Sequence, residues 1–390
     1  MYNFDEVVNR YGTDCIKYDF REEHKVPQDA IPLWVADMDF KTAPEIVEAV
    51  KKRAAHEIYG YTGTKDDLHD AICNWFGDNF GYRYQKEWLV KTPGVVFALS
   101  MAVRAFTEPG DAVIIQRPVY HPFSRSIKNN GRRLIDSPLV YDKEEAAYSI
   151  DFEDFEDKIV KNDVKMFILC SPHNPVGRVW TREELVQIDE ICRRHQVFVV
   201  SDEIHCDFTY GDHKHTIFAS VSKEAEQNCM VCTAPSKTFN LAGLQFSSIF
   251  IPNKEKRRKF IHEIEMTGYN ETNLFGATAA YAAYTQGKPW LLELRKYLAE
   301  NIRFMNEFLA DQMPMLKMTE TQGTYLTWVD CSELGYTEEE LNHRILYDAG
   351  LWLDEGSMFG PSGKLFQRIN IACPKSVLEQ ALTQLKKIVP

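Results

Sequence analysis

The sequence lacks the features that define several large classes of protein. It has no apolar run of the about 18 residues that a membrane-spanning helix needs. Its nine cysteines are odd in number and scattered without the spacing of a disulfide framework, which is typical of free or buried thiols in a reducing compartment. The first residues do not combine a basic segment with an apolar one, so we expect no signal peptide and a cytoplasmic location.

An excess of positive charge is also missing. The 57 acidic residues outnumber the 45 lysines and arginines, which gives a formal net charge of -12. This argues against a nucleic-acid backbone or an anionic membrane as the main partner, because both need a basic face. A content of 44% hydrophobic and 26% charged residues is that of an ordinary globular protein, and 390 residues suffice for one large domain and a smaller one.

The middle of the chain alternates short apolar runs with helical patterns. Thr181 and Glu184 form a capping box, and Leu185, Ile188 and Cys192 follow at helical spacing. Continuous apolar runs suit strands that are covered on both faces. The pattern predicts an α/β domain with a mostly parallel sheet, helices on both faces and a ligand site at the carboxyl ends of the strands. The predicted strands are 111–116, 164–170, 197–201, 230–232 and 247–251.

A different pattern begins after Trp290. A long helix is predicted at 291–312, followed by a strand at 323–330, a helix at 337–349, a strand at 365–372 and a last helix after Pro374. We interpret this part as a smaller α+β domain that the N-terminal segment joins. The expected division is a large domain over 46–288 and a small domain made of 1–45 and 289–390.

The first candidate site feature is a glycine turn that opens a helix, at Gly94, Val95 and Val96. Free backbone N–H groups and the positive end of the helix dipole suit a phosphate at such a point. A simple helix-start turn explains the same residues, so this feature indicates a phosphate site only in combination with the other candidate site residues.

Two polar residues directly follow predicted strands. Asn174 lies in a loop fixed by prolines and a glycine, where its amide can donate to a phenolate oxygen, although a turn asparagine that bonds its own backbone is the alternative. Asp202 ends a buried strand, where a carboxylate is costly unless it is paired. A protonated pyridine nitrogen is a suitable partner. A helix cap or a metal ligand is the alternative for Asp202, and no second cluster with ligand spacing supports a metal.

Lys237 follows the next apolar strand. A lysine is usually a solvated surface charge, but one that points into a closed cleft suits a Schiff base, which requires an amine of lowered pKa. Ser236 and Thr233 are candidate hydroxyl donors to a phosphate.

The order and spacing of Asn174, Asp202 and Lys237 resemble those of the pyridoxal 5′-phosphate (PLP) enzymes of fold type I, the aspartate aminotransferase superfamily, over almost the whole chain. The resemblance implies PLP as the cofactor. It places Asn174 at O3′, Asp202 at the pyridine nitrogen and Lys237 at C4′. Tyr120 matches the aromatic residue that stacks on the ring, and His205 stands where the superfamily often has a tyrosine that assists at O3′.

The same resemblance extends to the substrate and to a second subunit. Arg368 matches the arginine that grips the α-carboxylate of an amino-acid substrate, a bidentate task suited to guanidinium. Tyr61 matches a tyrosine that reaches the phosphate of the neighbouring subunit and assists at the substrate, so a homodimer with a shared active site is expected. Trp34, Asp37 and Phe359 are further candidates for the pocket lining.

A finer similarity is to the MalY/PatB group, the cystathionine β-lyase-like C–S lyases. Gln245 also occupies the position where many aminotransferases have a phosphate-binding arginine, eight residues after the lysine. The similarity implies β-elimination on an amino acid with sulfur at Cβ, with Lys237 as base and a thiol, pyruvate and ammonia as products. The alternatives are an aminotransferase and a MalY-like regulatory binding protein. The segments that carry the similarity to the MalY/PatB group are 33–40, 118–123, 171–180, 201–206 and 234–243.

We interpret two further patterns as structural rather than catalytic. Cys229 and Cys232 form a lone CxxC on a predicted strand, where alternation sends the side chains to opposite faces of the sheet, so we expect core residues. His213 and His215 are expected in a solvated loop.

Overall fold

A computed structural model describes residues 2–390. The strands are β1 (Ile31–Pro32), β2 (Leu89–Thr92), β3 (Ala112–Ile115), β4 (Arg133–Asp136), β5 (Val140–Asp142), β6 (Ala147–Ser149), β7 (Val164–Cys170), β8 (Phe198–Asp202), β9 (Cys229–Thr233), β10 (Ser247–Phe250), β11 (Lys317–Met318), β12 (Leu326–Asp330), β13 (Leu351–Trp352), β14 (Asp354–Glu355) and β15 (Phe366–Asn370).

The helices are α1 (Pro44–Ala54), α2 (Asp66–Phe80), α3 (Val95–Phe106), α4 (Pro122–Lys128), α5 (Phe152–Asn162), α6 (Arg182–Arg194), α7 (Lys223–Gln227), α8 (Pro235–Thr238), α9 (Lys254–Glu265), α10 (Leu274–Gln286), α11 (Lys288–Gln312), α12 (Glu338–His343) and α13 (Lys375–Leu385). The predicted capping box is present at the start of α6, where the Thr181 hydroxyl accepts from the Glu184 N–H. In the described residues, no helix has the length and apolar character needed to cross a membrane.

A seven-stranded sheet in the order β2-β10-β9-β8-β7-β3-β4 forms the centre of the molecule. The strands from β9 to β4 run parallel to their neighbours, which confirms a mostly parallel sheet. Only β10 runs antiparallel, to both β9 and β2. The apolar run that predicted β10 carries no information on direction, because a buried strand is apolar in either orientation.

Apolar helices cover both faces of this sheet. Along β8, Val199 packs into one core cluster and Val200 into the other, as strand alternation requires. Cys229 and Cys232 divide between the same two clusters, which confirms the core interpretation of the CxxC pattern. One cluster holds residues of α3, α4 and α9, and the other holds residues of α2, α5, α6 and α10.

A four-stranded sheet in the order β11-β12-β15-β14 is built from the C-terminal part of the chain. The short strand β1 pairs in parallel with β13, so the N-terminal segment packs against this part as expected. The helix predicted at 337–349 is interrupted: α12 ends at His343 and a π-helical turn follows over Arg344–Asp348. The division at residues 46 and 288 stays a prediction.

The loop with His213 and His215 is solvated only in part. His213 keeps about a third of its side chain exposed beside Glu320. His215 is buried, and its Nε2 lies 2.7 Å from Oε2 of the buried Glu203. The expectation of a solvated loop is therefore wrong for His215, because a carboxylate inside the core supplies its partner.

Candidate active site

The polar residues predicted at strand ends converge on one cavity of about 190 Å³. Strands β7, β8 and β9 are adjacent and parallel, so the residues that follow them meet at one edge of the sheet. The cavity is lined among others by Gly94, Val95, Val96, Tyr120, Cys170, Asn174, Asp202, His205, Ser236 and Lys237.

The first turn of α3 opens onto this cavity. The first helical hydrogen bond runs from the Ala98 N–H to the Gly94 carbonyl, at 3.1 Å. The N–H groups of Val95 and Val96 come earlier in the turn and have no acceptor within the helix. Both residues line the cavity. This arrangement suits an anion such as a phosphate, which the helix dipole further favours.

Asp202 is buried at the end of β8, with 4% of its surface exposed. The Ile204 N–H donates to its Oδ1 at 3.2 Å, yet burial raises the pKa of this carboxyl to about 7. A cationic partner would offset the cost of the buried charge and return the carboxyl to its ionised form. A protonated pyridine nitrogen is such a partner, so Asp202 fits PLP.

Asn174 joins this cavity to an arginine of the smaller sheet. Its Oδ1 accepts from Nη1 of Arg368 at 3.1 Å, in surroundings where both residues are buried. An amide whose oxygen is taken up in this way presents its nitrogen as a donor. The Asn174 side chain therefore fits a phenolate oxygen such as O3′ of PLP.

Lys237 projects from the first turn of α8 into the cavity. Its Nζ donates to the carbonyl oxygen of Ala36 at 2.6 Å. Burial lowers the pKa of the amine to about 8, although Asp37 acts in the opposite direction. A substantial neutral fraction near physiological pH is what a carbonyl-binding nucleophile and a proton base both require.

Tyr120 and His205 complete the walls of the cavity. Burial raises the pKa of Tyr120, so its hydroxyl remains protonated. Burial also holds the pKa of His205 well below its ordinary value, and the ring is therefore neutral. The Nδ1 atom of His205 has no hydrogen-bond partner in the described residues.

Only one of the two candidate hydroxyl donors lies at the cavity. Ser236 lines the cavity, as expected. Thr233 does not, because its buried hydroxyl donates to the Ser248 carbonyl at 3.0 Å across the β9–β10 pair. The prediction of a phosphate donor at Thr233 is therefore wrong. Its side chain serves the sheet instead.

A second cavity of about 560 Å³ adjoins the first, with Tyr120 and Lys237 on the walls of both. Trp34 lines it and stacks on Trp352, with ring centroids 4.3 Å apart. Arg368 also lines it. Phe359, expected in the pocket lining, lines neither cavity: its ring is buried, with the centroid 4.9 Å from the Arg368 guanidinium. This cavity therefore combines an apolar wall with a cation suited to a carboxylate.

Two residues of this second cavity went unnoticed in the sequence. Asp354 forms a buried ion pair with Arg368. His121 contributes a ring whose pKa burial lowers to about 4, and its Nδ1 lacks a partner among residues 2–390. His121 directly follows Tyr120, so its proximity was predictable. Asp354 depends on the pairing of β14 with β15, which the sequence does not give.

The structure places Asp37 in another environment. Both oxygens of its carboxylate bind Arg10, at 3.0 and 2.6 Å, and Asp37 lines neither cavity. The expectation that Asp37 forms part of the pocket lining is therefore corrected: its charge is taken up by an ion pair of the N-terminal segment.

Two further predicted positions lie outside these two cavities. Tyr61 has 96% of its surface exposed. Gln245 is also exposed and adopts a left-handed backbone conformation, with φ 52°. Neither residue reaches the helix start that suits a phosphate within its own chain.

The fold and the site together define the PLP enzymes of fold type I. Residues 28–385 match the sequence profile of the aminotransferase class I and II family, and the chain belongs to this family. It is 44% identical over 384 residues to the cystathionine β-lyase PatB of Bacillus subtilis, which covers 98% of this chain and 99% of the relative.

Solved structures give the same result. A PLP-bound protein of Clostridium difficile 630 that is described as an aminotransferase is 42% identical, with a TM-score of 0.97 and complete coverage of both chains. A PLP-bound C–S lyase of Staphylococcus hominis is 30% identical, with a TM-score of 0.92, and covers 100% of this chain and 98% of its own. PLP is thus the cofactor of this protein, in agreement with the donors that line the cavity.

Proposed function

We propose that this protein is a PLP-dependent C–S β-lyase, which eliminates a thiol from an amino acid with sulfur at Cβ and yields pyruvate and ammonia. The observation that carries the proposal is the convergence of Lys237, with an amine pKa of about 8, and the buried Asp202 on one cavity. The similarity to a relative named cystathionine β-lyase over nearly the whole chain supports the choice of reaction.

In this proposal the cofactor, once bound, supplies an electron sink for the negative charge that develops at Cα. The Asp202 carboxylate holds a proton on the pyridine nitrogen, and the Asn174 amide donates to O3′. The N–H groups of Val95 and Val96, with the Ser236 hydroxyl, bind the phosphate. These groups are fixed at strand ends and helix starts, so they need little rearrangement when charge develops.

In this proposal the substrate binds in the second cavity, and Lys237 transfers the proton. The Arg368 guanidinium binds the α-carboxylate and thereby orients the Cα–H bond toward the Lys237 amine. The neutral amine then takes the Cα proton. The stacked rings of Trp34 and Trp352 wall off the space in which the sulfur-bearing side chain lies. Departure of the thiolate from Cβ completes the elimination.

A homodimer with a shared active site belongs to the same proposal. Tyr61 lies outside the two active-site cavities of its own chain, and the neighbouring Ile58 and Tyr59 expose 65% and 59% of their surfaces. Large apolar side chains grouped on a surface are typical of protein interfaces. Tyr61 would then reach the phosphate and the substrate in the partner subunit.

The proposal is tested by incubating the holoenzyme with L-cystathionine, without any added keto acid, and measuring pyruvate with lactate dehydrogenase. We expect pyruvate from the wild type and none from a Lys237→Ala variant that retains its fold. Transamination is the second candidate, since a solved relative at 42% identity is described as an aminotransferase. Amino-group transfer to an added keto acid in the absence of pyruvate would replace the lyase proposal with that one.

A further inference from the structure

Asp354 lies directly opposite Arg368 in the antiparallel pair of β14 and β15. Its Oδ2 accepts from Nη2 of Arg368, and the two side chains retain only 8% and 4% exposure. Asp354 also lines the second cavity, in which the substrate is proposed to bind. A carboxylate thus already rests on the guanidinium that is proposed to hold the substrate carboxylate.

The N–H groups of Arg368 are largely engaged. One Nη1–H donates to Asn174 Oδ1 at 3.1 Å, and Nη2 donates both to the Trp34 carbonyl, at 2.8 Å, and to Asp354. Nε has no partner in the described part of the chain. The two free donors are therefore Nε–H and the second Nη1–H, out of five.

These two free donors do not form a fork. A carboxylate grips guanidinium in the bidentate manner either at the side, through Nε–H and one Nη2–H, or at the end, through one N–H of each terminal nitrogen. Both forks include an Nη2–H. Because both Nη2 hydrogens are engaged, a bidentate ligand must displace either Asp354 or the Trp34 carbonyl.

The Trp34 carbonyl is the more firmly held of the two. It belongs to a backbone that is held before and after Trp34, since the Asn370 N–H donates to the Leu33 carbonyl at 2.9 Å and Nδ2 of Asn370 donates to the Val35 carbonyl at 2.6 Å. Asp354 can turn about its side-chain bonds. It also carries the same charge as the incoming ligand, and two carboxylates at one site repel each other. Burial raises the pKa of Asp354 even beside Arg368, so its charge is poorly solvated.

We propose that Asp354 is a resident anion that the substrate α-carboxylate displaces from Nη2 of Arg368, and that Asp354 thereby sets the affinity for amino-acid substrates. The inference rests on the proposed role of Arg368 in the function above. It makes Asp354 a residue that acts through Arg368, without contact to the reacting atoms. Without its charge, the unliganded protein holds an uncompensated guanidinium and becomes less stable, while a carboxylate ligand binds more tightly.

The test is a titration of holoenzyme with L-alanine and with L-alaninamide, followed by the visible absorption of the bound cofactor. The two ligands differ in the carboxylate and share the amine. For Asp354→Asn we expect an L-alanine dissociation constant about tenfold below that of the wild type, within the usual range of coupling between two ligands. The constant for L-alaninamide is expected to stay unchanged. Glu355→Gln removes the same charge at the next residue of β14, which lines the same cavity but forms no ion pair with Arg368 among the described residues, so it separates the effect of cavity charge from that of the Asp354–Arg368 contact.

An unchanged or raised dissociation constant for L-alanine in Asp354→Asn overturns the proposal, because a residue that merely positions Arg368 would weaken carboxylate binding when it is lost. Thermal unfolding and the cofactor absorption band establish that the variant is folded. Asp354→Ser provides a second measurement if the asparagine variant is not. L-Alanine has no sulfur to eliminate, so the result is independent of lyase activity. If Arg368→Ala leaves L-alanine binding intact, the role of Arg368 is wrong and the proposal for Asp354 fails with it.

Discussion

The ε-amino group of Lys237 lies 2.6 Å from the carbonyl oxygen of Ala36, a residue that is 201 positions away in the chain. The same carbonyl accepts from the buried Tyr325 hydroxyl at 3.0 Å. The segment 34–37 also supplies the Trp34 carbonyl to Arg368 and the Val35 carbonyl to Asn370. One short stretch of backbone therefore holds the amine and the guanidinium of the active site at the same time.

Arg10 binds the acidic side chains at the end of this segment and just after it. Its guanidinium binds Asp37 at 2.6 Å and Asp39 at 2.7 Å, and the fully buried Lys17 adds a contact to Asp39 at 2.8 Å. Arg10→Ala should leave the cofactor bound and lower kcat/KM for the elimination by roughly 10- to 100-fold, because a displaced Ala36 carbonyl no longer fixes the amine. Steady-state kinetics and the cofactor absorption band measure the two effects separately.

The control for that variant is Arg303→Ala, which removes an exposed arginine that pairs with Glu300 and Glu307. Exposed ion pairs contribute about 0 to 1 kcal/mol, so we expect little change in stability or activity. Equal losses of activity in both variants, or wild-type activity after loss of Arg10, would contradict a role of the 34–37 segment in placing the amine.

The Asp202 carboxyl makes the stability of the apoprotein dependent on pH. Its pKa is raised from 3.8 to about 7 by burial, so the folded state binds a proton that the unfolded state has lost. This stabilising contribution is complete below about pH 4 and is lost as the pH rises to about 7. Apoprotein with Asp202→Asn should then exceed the wild type in unfolding free energy by about 4 kcal/mol at pH 8 and by only about 0.5 kcal/mol near pH 4.

Chemical denaturation at the two pH values measures this difference. With PLP bound, the Asp202→Asn variant should be less active than the wild type, because asparagine cannot hold the pyridine nitrogen in its protonated form. A stability difference that is the same at both pH values would show that Asp202 is not the titrating group.

The lowered pKa of Lys237 predicts how the apoprotein captures its cofactor. Only the neutral amine attacks the aldehyde of PLP, and burial brings the pKa of this amine to about 8 instead of 10.5. The capture rate should increase with pH, reach half its maximum near pH 8 and level off above it. Stopped-flow absorption of apoprotein mixed with PLP records this profile. A rate that continues to increase beyond pH 9.5 would indicate an ordinary, solvated amine.

The shared active site predicts complementation between two inactive variants. Lys237→Ala lacks the base, and Tyr61→Ala lacks the side chain proposed to serve the partner subunit. Mixed dimers contain one site with both defects and one intact site, so random reassociation of equal amounts restores about a quarter of the wild-type activity. Activity is measured after joint refolding, and each variant refolded alone is the control. If mixed dimers form but enzymatic activity does not recover, Tyr61 does not serve the active site of the partner subunit and acts in the site of its own chain.

The central residues of the site were predictable because each lies next to a local signal. Asn174, Asp202 and Lys237 follow apolar runs that became β7, β8 and β9, and neighbouring parallel strands necessarily bring their carboxyl ends together. Thr233 was predicted from proximity to the same strand end, but the direction of its hydroxyl depends on the antiparallel neighbour β10.

The residues that went unnoticed depend on contacts between distant parts of the chain. Asp354 meets Arg368 only through the register of β14 and β15, and Arg10 meets Asp37 through the fold of the N-terminal segment. His215 has a polar, loop-like sequence context and nevertheless finds Glu203 inside the core. Such pairs carry no periodicity or spacing that a single sequence displays.

The most direct test of the account is the identity of the lysine that carries the cofactor. Holoenzyme treated with borohydride fixes PLP to its lysine, and proteolysis with mass spectrometry then locates the labelled peptide. We predict loss of the visible band and a single labelled peptide that contains Lys237, with no label in Lys237→Ala. A label on any other lysine would contradict the assignment of the active site and the mechanism built on it.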